Sequence, residues 1–167
     1  MKDKSIGHAE MKNGSMESTE LEDGSIIEEL LEKPYWIADI LPEQVPADSA
    51  GQYFRVEEYY LQQAQMEILH RKYLNIVLKL NCYYDIRFSC DYGEHWELNP
   101  APGLLEKLLT GGSRTDTFHI LFDSEQALAV LNSDDTYLTV YHPTEKLLYL
   151  LRELARAEGL FVWKPEQ

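Results

Sequence analysis

Cysteine, cationic side chains and long apolar runs are all scarce in this chain, and each shortage removes a class of function. Two cysteines, Cys82 and Cys90, stand in 167 residues, too few for the disulfide framework of a small secreted fold. No cationic stretch followed by an apolar one opens the sequence, and no apolar run is long enough to span a bilayer. A protein of the reducing cytoplasm is therefore expected. Lys and Arg number 15 against 29 Asp and Glu, for a net charge of -14. A surface of that sign repels phosphate backbones and anionic lipid, so neither nucleic acid nor membrane is an expected partner. Phosphate-cradling glycine loops, nucleophile elbows and dinucleotide fingerprints are missing, and Gly111-Gly112 follows a predicted helix rather than opening one.

The length suits one domain, and a hydrophobic share of 44% is enough for a core. The acidity is spread along the chain: residues 1–33 hold nine acids and four bases, the remainder 20 and 11. Such a surface attracts a basic protein; the competing reading is that the charge only maintains solubility.

Residues 1–24 are rich in Ser, Gly, Glu and Lys and poor in large apolar groups, too little to offset their ordering entropy. We expect a flexible acidic arm over 1–33, with a short helix capped by Ser25 and Glu28 and stopped by Pro34. A single compact α+β domain is expected over 34–167. It opens with an extended segment over 34–41. One long helix is predicted over 56–80 from the stripe Met66, Leu69, Tyr73, Ile76, Val77 and Leu80.

The period then changes to two. Tyr84, Ile86, Phe88 and Cys90 alternate with polar neighbours, which predicts a half-buried strand with Cys90 inside, and 95–98 reads as a short return strand. A helix follows Asn99-Pro100. Strands at 117–122, 126–131 and 136–141, joined by short polar turns, predict an antiparallel meander. A helix starting around Pro143 and Glu145 and closed by Gly159, then a strand at 160–163, complete the chain. The expected architecture is a mostly antiparallel sheet, the C-terminal meander plus extra strands, with two or three helices packed on one face.

Cys82, Cys90, Asp91, Glu94 and His95 form the densest chemical neighbourhood. Thiolates, imidazole and carboxylates bind zinc, but this spacing matches no paired ligand motif, so no metal and no cofactor is expected. A Cys–His nucleophile, from Cys82 or Cys90 with His95 or His119, is disfavoured because surrounding carboxylates raise a thiol pKa. His119, between Phe118 and Ile120, is expected to face away from the core, toward solvent. Asp123 and Glu125, and Asp134 and Asp135, occupy strand-connecting turns at opposite ends of the meander, where turn geometry explains them. The chain has 11 Tyr and three Trp, residues that suit protein interfaces. Trp36 and Trp163 are read as core and Trp96 is left open.

The stretches PYWIADILPEQVP, DDTYLTVYHP and EGLFVWKP together resemble a family of small bacterial proteins with no assigned function. The resemblance covers roughly residues 34–165 and implies a bacterial source. It carries no activity and no site residues.

With no catalytic set visible, the expected function is a protein-binding module, of immunity or inhibitor type, that caps a basic partner through an acidic, Tyr-rich surface. Asp91, Glu94, Trp96, Asp134 and Asp135 are the candidate contacts. Two alternatives are an enzyme whose site assembles from separate elements, such as a cleft holding Asp39, His95 or His119, and an accessory domain whose charge only solvates it.

Overall fold

The computed structural model describes residues 16–111 and 116–166. Residues 1–15, most of the arm expected to be disordered, lie outside that range, as does Gly112. Each of the apolar patterns above finds a partner surface in one seven-stranded sheet with order β3-β2-β4-β5-β6-β1-β7. The strands are β1 (Tyr35–Asp39), β2 (Arg87–Ser89), β3 (Glu97–Leu98), β4 (Thr117–Phe122), β5 (Ala127–Asn132), β6 (Leu138–Tyr141) and β7 (Phe161–Trp163). Every neighbouring pair is antiparallel. The predicted meander is β4-β5-β6, and β1 joins it by pairing Ala38 with Leu138 and Trp36 with Val140.

Among the described residues, five helices accompany the sheet: α1 (Met16–Leu31), α2 (Ala50–Tyr60), α3 (Gln63–Leu80), α4 (Pro102–Gly111) and α5 (Glu145–Ala157). The main core joins one sheet face, including Ala38, Phe88, Phe118, Ile120, Phe122, Ala129, Leu131 and Val140, to the buried stripes of α3, α4 and α5. The expectation of two or three helices on one face is corrected by α1. Its Ile27 and Leu30 pack on the opposite face against Leu121, Leu128 and Val130. The reason lies in the sheet. β5 is apolar on both faces and β4 adds Leu121 to the second, so that face also needs a lid. Ser25 is interior to α1 rather than its cap.

The single helix expected over 56–80 is two. The chain leaves α2 at Leu61, passes through extended Gln62 (ψ 142°) and re-enters as α3. The apolar stripe is continuous only from Met66 onward, whereas Phe54, Val56 and Tyr59 of α2 are exposed. Nothing therefore holds α2 in line with α3. Its start instead brings Tyr53 and Phe54 to the end of β1.

Helix α5 follows the capping rules closely. Thr144 caps it, accepting a hydrogen bond from the Leu147 amide, so Pro143 precedes the helix rather than opening it. At the other end Gly159 takes φ +74°, the Leu160 amide donates to the Ala155 carbonyl at 2.8 Å and the Gly159 amide to Arg156 at 3.0 Å. This pairing satisfies carbonyls that the helix end leaves open, and it requires a residue tolerant of positive φ.

Two burial expectations fail for one local reason. Strand β2 stops at Ser89, and the chain turns through Tyr92 (φ 59°) and Gly93 (φ 85°). Alternation lapses at the turn, so Cys90 is exposed rather than buried, as is Cys82. The same turn swings Tyr92 edge-on to the His119 ring, with centroids 5.0 Å apart. His119 does lie on the face opposite Phe118 and Ile120, but that face is covered, and the residue is 2% exposed. Among the described residues no helix is long and apolar enough to cross a membrane.

Candidate functional site

The strand register decides which loops share an end of the sheet. Ser89 pairs with His119, His119 with Val130, and Leu131 with Leu138. The turn after β2, the β5–β6 turn and the end of β1 therefore all lie at one end. The β4–β5 turn with Asp123 and Glu125 lies at the other, as the sequence predicts. The first end gathers Asp39, Asp91, Glu94, Asp134 and Asp135 from three separate stretches. Segments 40–46, 90–96 and 133–137 contain no Lys or Arg. Arg114, in the neighbouring loop, lies outside the described residues. At the opposite end acids alternate with Lys33, Arg87 and Lys146, while Lys164 lies beside the 43–47 segment.

Three of the five candidate contacts also build the local structure. Asp91 accepts from the Ser89 hydroxyl at 2.8 Å and the His95 amide at 3.0 Å, and its Oδ2 lies 2.6 Å from His95 Nδ1. Burial pushes this carboxyl up, but the backbone and ring N–H groups of His95 and the Ser89 hydroxyl outweigh it and hold it below the usual range. Asp135 accepts from the Asn132 amide group at 2.8 Å. Trp96 is half-buried, joins the α1 cluster and lies under the Arg87 guanidinium, 5.1 Å from its ring centre. Glu94 and Asp134 are exposed. Of the zinc-type neighbourhood, Asp91, Glu94 and His95 converge, with ligand atoms within 4.8 Å of one another; neither thiol joins them. This group sits on an exposed turn, and its internal hydrogen bonds account for the arrangement.

Among the described residues, Asp39 is the one buried carboxylate. Along β1, Tyr35, Ile37 and Asp39 alternate away from the main core, toward the same side as Tyr137, Thr139 and Tyr141 of the neighbouring strand. Helix α1 covers the β4–β5 half of this face. Over β1 and β7 the face instead opens into a cleft of about 450 Å³, closed by the 41–47 segment and the start of α2. Asp39 lines it and is only 6% exposed. Its Oδ1 accepts from the Ile40 amide at 2.7 Å. Burial pushes its pKa up to about 6, against the opposing pull of the Ile40 and Leu41 amides.

Aromatic rings form much of the wall. Tyr35, Tyr53, Phe54, Tyr137 and Trp163 all line the cleft, and Trp163 is held by a hydrogen bond from its Nε1 to the Leu41 carbonyl at 3.0 Å. The Tyr53 and Tyr137 hydroxyls are raised to about 12, by burial first and by nearby carboxylates second. They remain neutral donors at physiological pH. Behind the strand, Tyr73 donates to the Thr136 carbonyl at 2.6 Å, with the Ala38 carbonyl at 3.1 Å, and so fixes the backbone next to Asp39.

The sequence marks Asp39 as a candidate carboxylate for a cleft, but gives no sign of its companions. Tyr53 sits on a largely exposed helix and Tyr137 in a turn, so neither belongs to an apolar stripe. Trp163, read as core, is a half-buried wall of the cleft. Trp36 is not core either: it is half-buried beneath Arg152, 4.9 Å from its ring centre, and Lys164. The buried histidines stand elsewhere. His70 bonds the Leu109 carbonyl through Nδ1, and burial lowers the pKa of both His70 and His119. No family model, no curated protein and no solved structure matches this chain.

Proposed function

We propose that the protein is a binding module for a basic protein partner, an inhibitor or immunity-type protein in the bacterial setting its sequence texture implies. The observation that carries this reading is the shared acidity of three loops at one end of the sheet, beside the α5–β7 turn where Lys72 bonds the Glu158 carbonyl. Three described loops from separate stretches bring carboxylates there with no Lys or Arg among them. Such a patch speeds encounter with a cationic surface and penalises anionic ones. The Asp39 cleft lies on the second face near the same end and supplies aromatic contact area of the kind that anchors interfaces. Nucleic acid and membrane surfaces are disfavoured as partners by the same charge.

A second reading, an enzyme using Asp39 as a general acid or base, is favoured by one feature: a buried carboxyl near pKa 6 in a cleft. Against it, the lining contains no His, Cys, Ser or Lys to share proton transfer or act as nucleophile. Binding is the better account.

The test is a pull-down from native host lysate at low and then moderate salt, repeated with a Glu94→Lys, Asp134→Lys variant at the two exposed acids. A stoichiometric basic partner, released by salt and not captured by the variant, is the expected result. Recovery of the wild-type chain alone at both salts overturns the proposal and leaves the charge as a solubility device.

A further inference from the structure

We propose that the Asp39 cleft is a binding site for one organic cation, a guanidinium or primary ammonium group, seated between the Asp39 carboxylate and the rings of Tyr53, Tyr137 and Trp163. This deepens the binding reading by naming the chemical group that enters the cleft, but it rests on a separate observation. Asp39 is more than nine-tenths buried, faces a real cavity and meets only backbone amides. Among the described residues no Lys, Arg or His pairs with it, and none lines the cleft. Two further carboxylates, Glu43 and Glu166, belong to the same lining.

Burying a carboxylate without a counter-charge is unfavourable, and the usual remedy is a cation within hydrogen-bonding reach. The fold supplies none here, although it pairs Arg87 with Asp123 at 2.7 Å on the far side of the sheet. The rest of the wall suits the same remedy, because the faces of Trp and Tyr rings attract ammonium and guanidinium groups. Other ligand classes fit less well. An anion meets three carboxylates. A wholly apolar ligand leaves Asp39 desolvated and unpaired. A hard divalent ion requires several converging oxygens, where this wall offers mainly ring carbon. The volume lies within the range of small-ligand sites and admits an arginine or lysine side chain.

The experiment is an NMR titration of the full chain, followed at the Ile40 and Leu41 amides that hold Asp39. The probes are arginine amide and its neutral isostere citrulline amide, both Nα-acetylated so that neither carries an α-ammonium, together with spermidine and a short peptide with one internal arginine. Arginine amide is expected to shift both amides saturably, and citrulline amide to leave them unmoved. Asp39→Asn, which keeps the shape and an acceptor for Ile40, is expected to weaken the arginine response at least tenfold. Tyr53→Leu, which spares the carboxylate, is expected to weaken it several-fold; a thermal melt of each variant checks folding. Tighter binding of the peptide than of arginine amide makes a protein side chain the source, and tighter binding of spermidine makes it a free polyamine. An equal response to citrulline amide, or wild-type affinity in folded Asp39→Asn, overturns the site. A salt-sensitive basic partner without any cation response sinks this inference and spares the acidic-surface reading. Saturable cation binding without such a partner does the reverse.

Discussion

Asp39 and Tyr73 approach the end of β1 from opposite faces, and each has a measurable consequence. Folded Asp39 titrates near 6 against an ordinary 3.8. Between those values the folded chain holds a proton that the unfolded chain has released, so this group adds stability as pH falls through 6 toward 4. Above 6 it carries the penalty of a buried charge. Asp39→Asn removes that penalty and is expected to raise stability near neutral pH by up to about 3 kcal/mol. The gap over wild type then closes as pH is lowered. Urea unfolding of both proteins across that range checks it, and the subtraction cancels Glu43, Glu166 and the other carboxylates. Tyr53 and Tyr137, which line the cleft with Asp39, and Tyr73 behind the strand titrate well above the window. A variant less stable than wild type at neutral pH would show that the carboxylate is already compensated. On the other side, Tyr73→Phe leaves the Thr136 and Ala38 carbonyls without their buried donor, a loss of about 1–3 kcal/mol, also readable by urea unfolding.

At the scale of elements, the second face distinguishes this fold from a sheet with helices on one side. Ile27 is fully buried against Leu121, Leu128 and Val130, and its Cδ1 lies 2.9 Å from where a side chain on Gly93 would begin. Helix α1, the turn after β2 and the sheet thus meet at one point. Ile27→Ala is expected to cost about 2–5 kcal/mol. It should also expose Trp96, seen as a red shift of tryptophan emission before global unfolding. An unchanged melting curve would mean that α1 is not part of the cooperative unit. The break at Gln62 matters at this scale too, since a helix continued straight through it would carry Tyr53 and Phe54 away from Asp39.

For the molecule as a whole, charge is distributed by topology rather than by sequence blocks. The antiparallel order sends the 90–96 and 133–137 loops and the end of β1 to one side. Reversing the exposed Glu94 and Asp134 to Lys is expected to slow association with a basic partner and flatten its salt dependence, with little change in melting temperature. Stopped-flow or surface binding at two ionic strengths separates that outcome from a loss of contact area, which raises the dissociation rate instead.

The elements were largely legible in the chain because their signals are local. Period-two alternation located β2, short polar turns marked off the meander, helical spacing located the α3 stripe, and Pro143, Glu145 and Gly159 bounded α5 within a residue or two. Net charge, cysteine scarcity and the separation of the two acidic turns of the meander were likewise readable from residue identity and strand parity. Tertiary structure alone decided that α1 seals a second face, that Cys90 is exposed and His119 buried, and that Tyr53, Tyr137 and Trp163 surround Asp39. Each of those outcomes depends on which distant segment lies across a given side chain. Burial in a turn or on a second sheet face is set by that segment, about which the periodicity of the residue's own strand or helix carries no information.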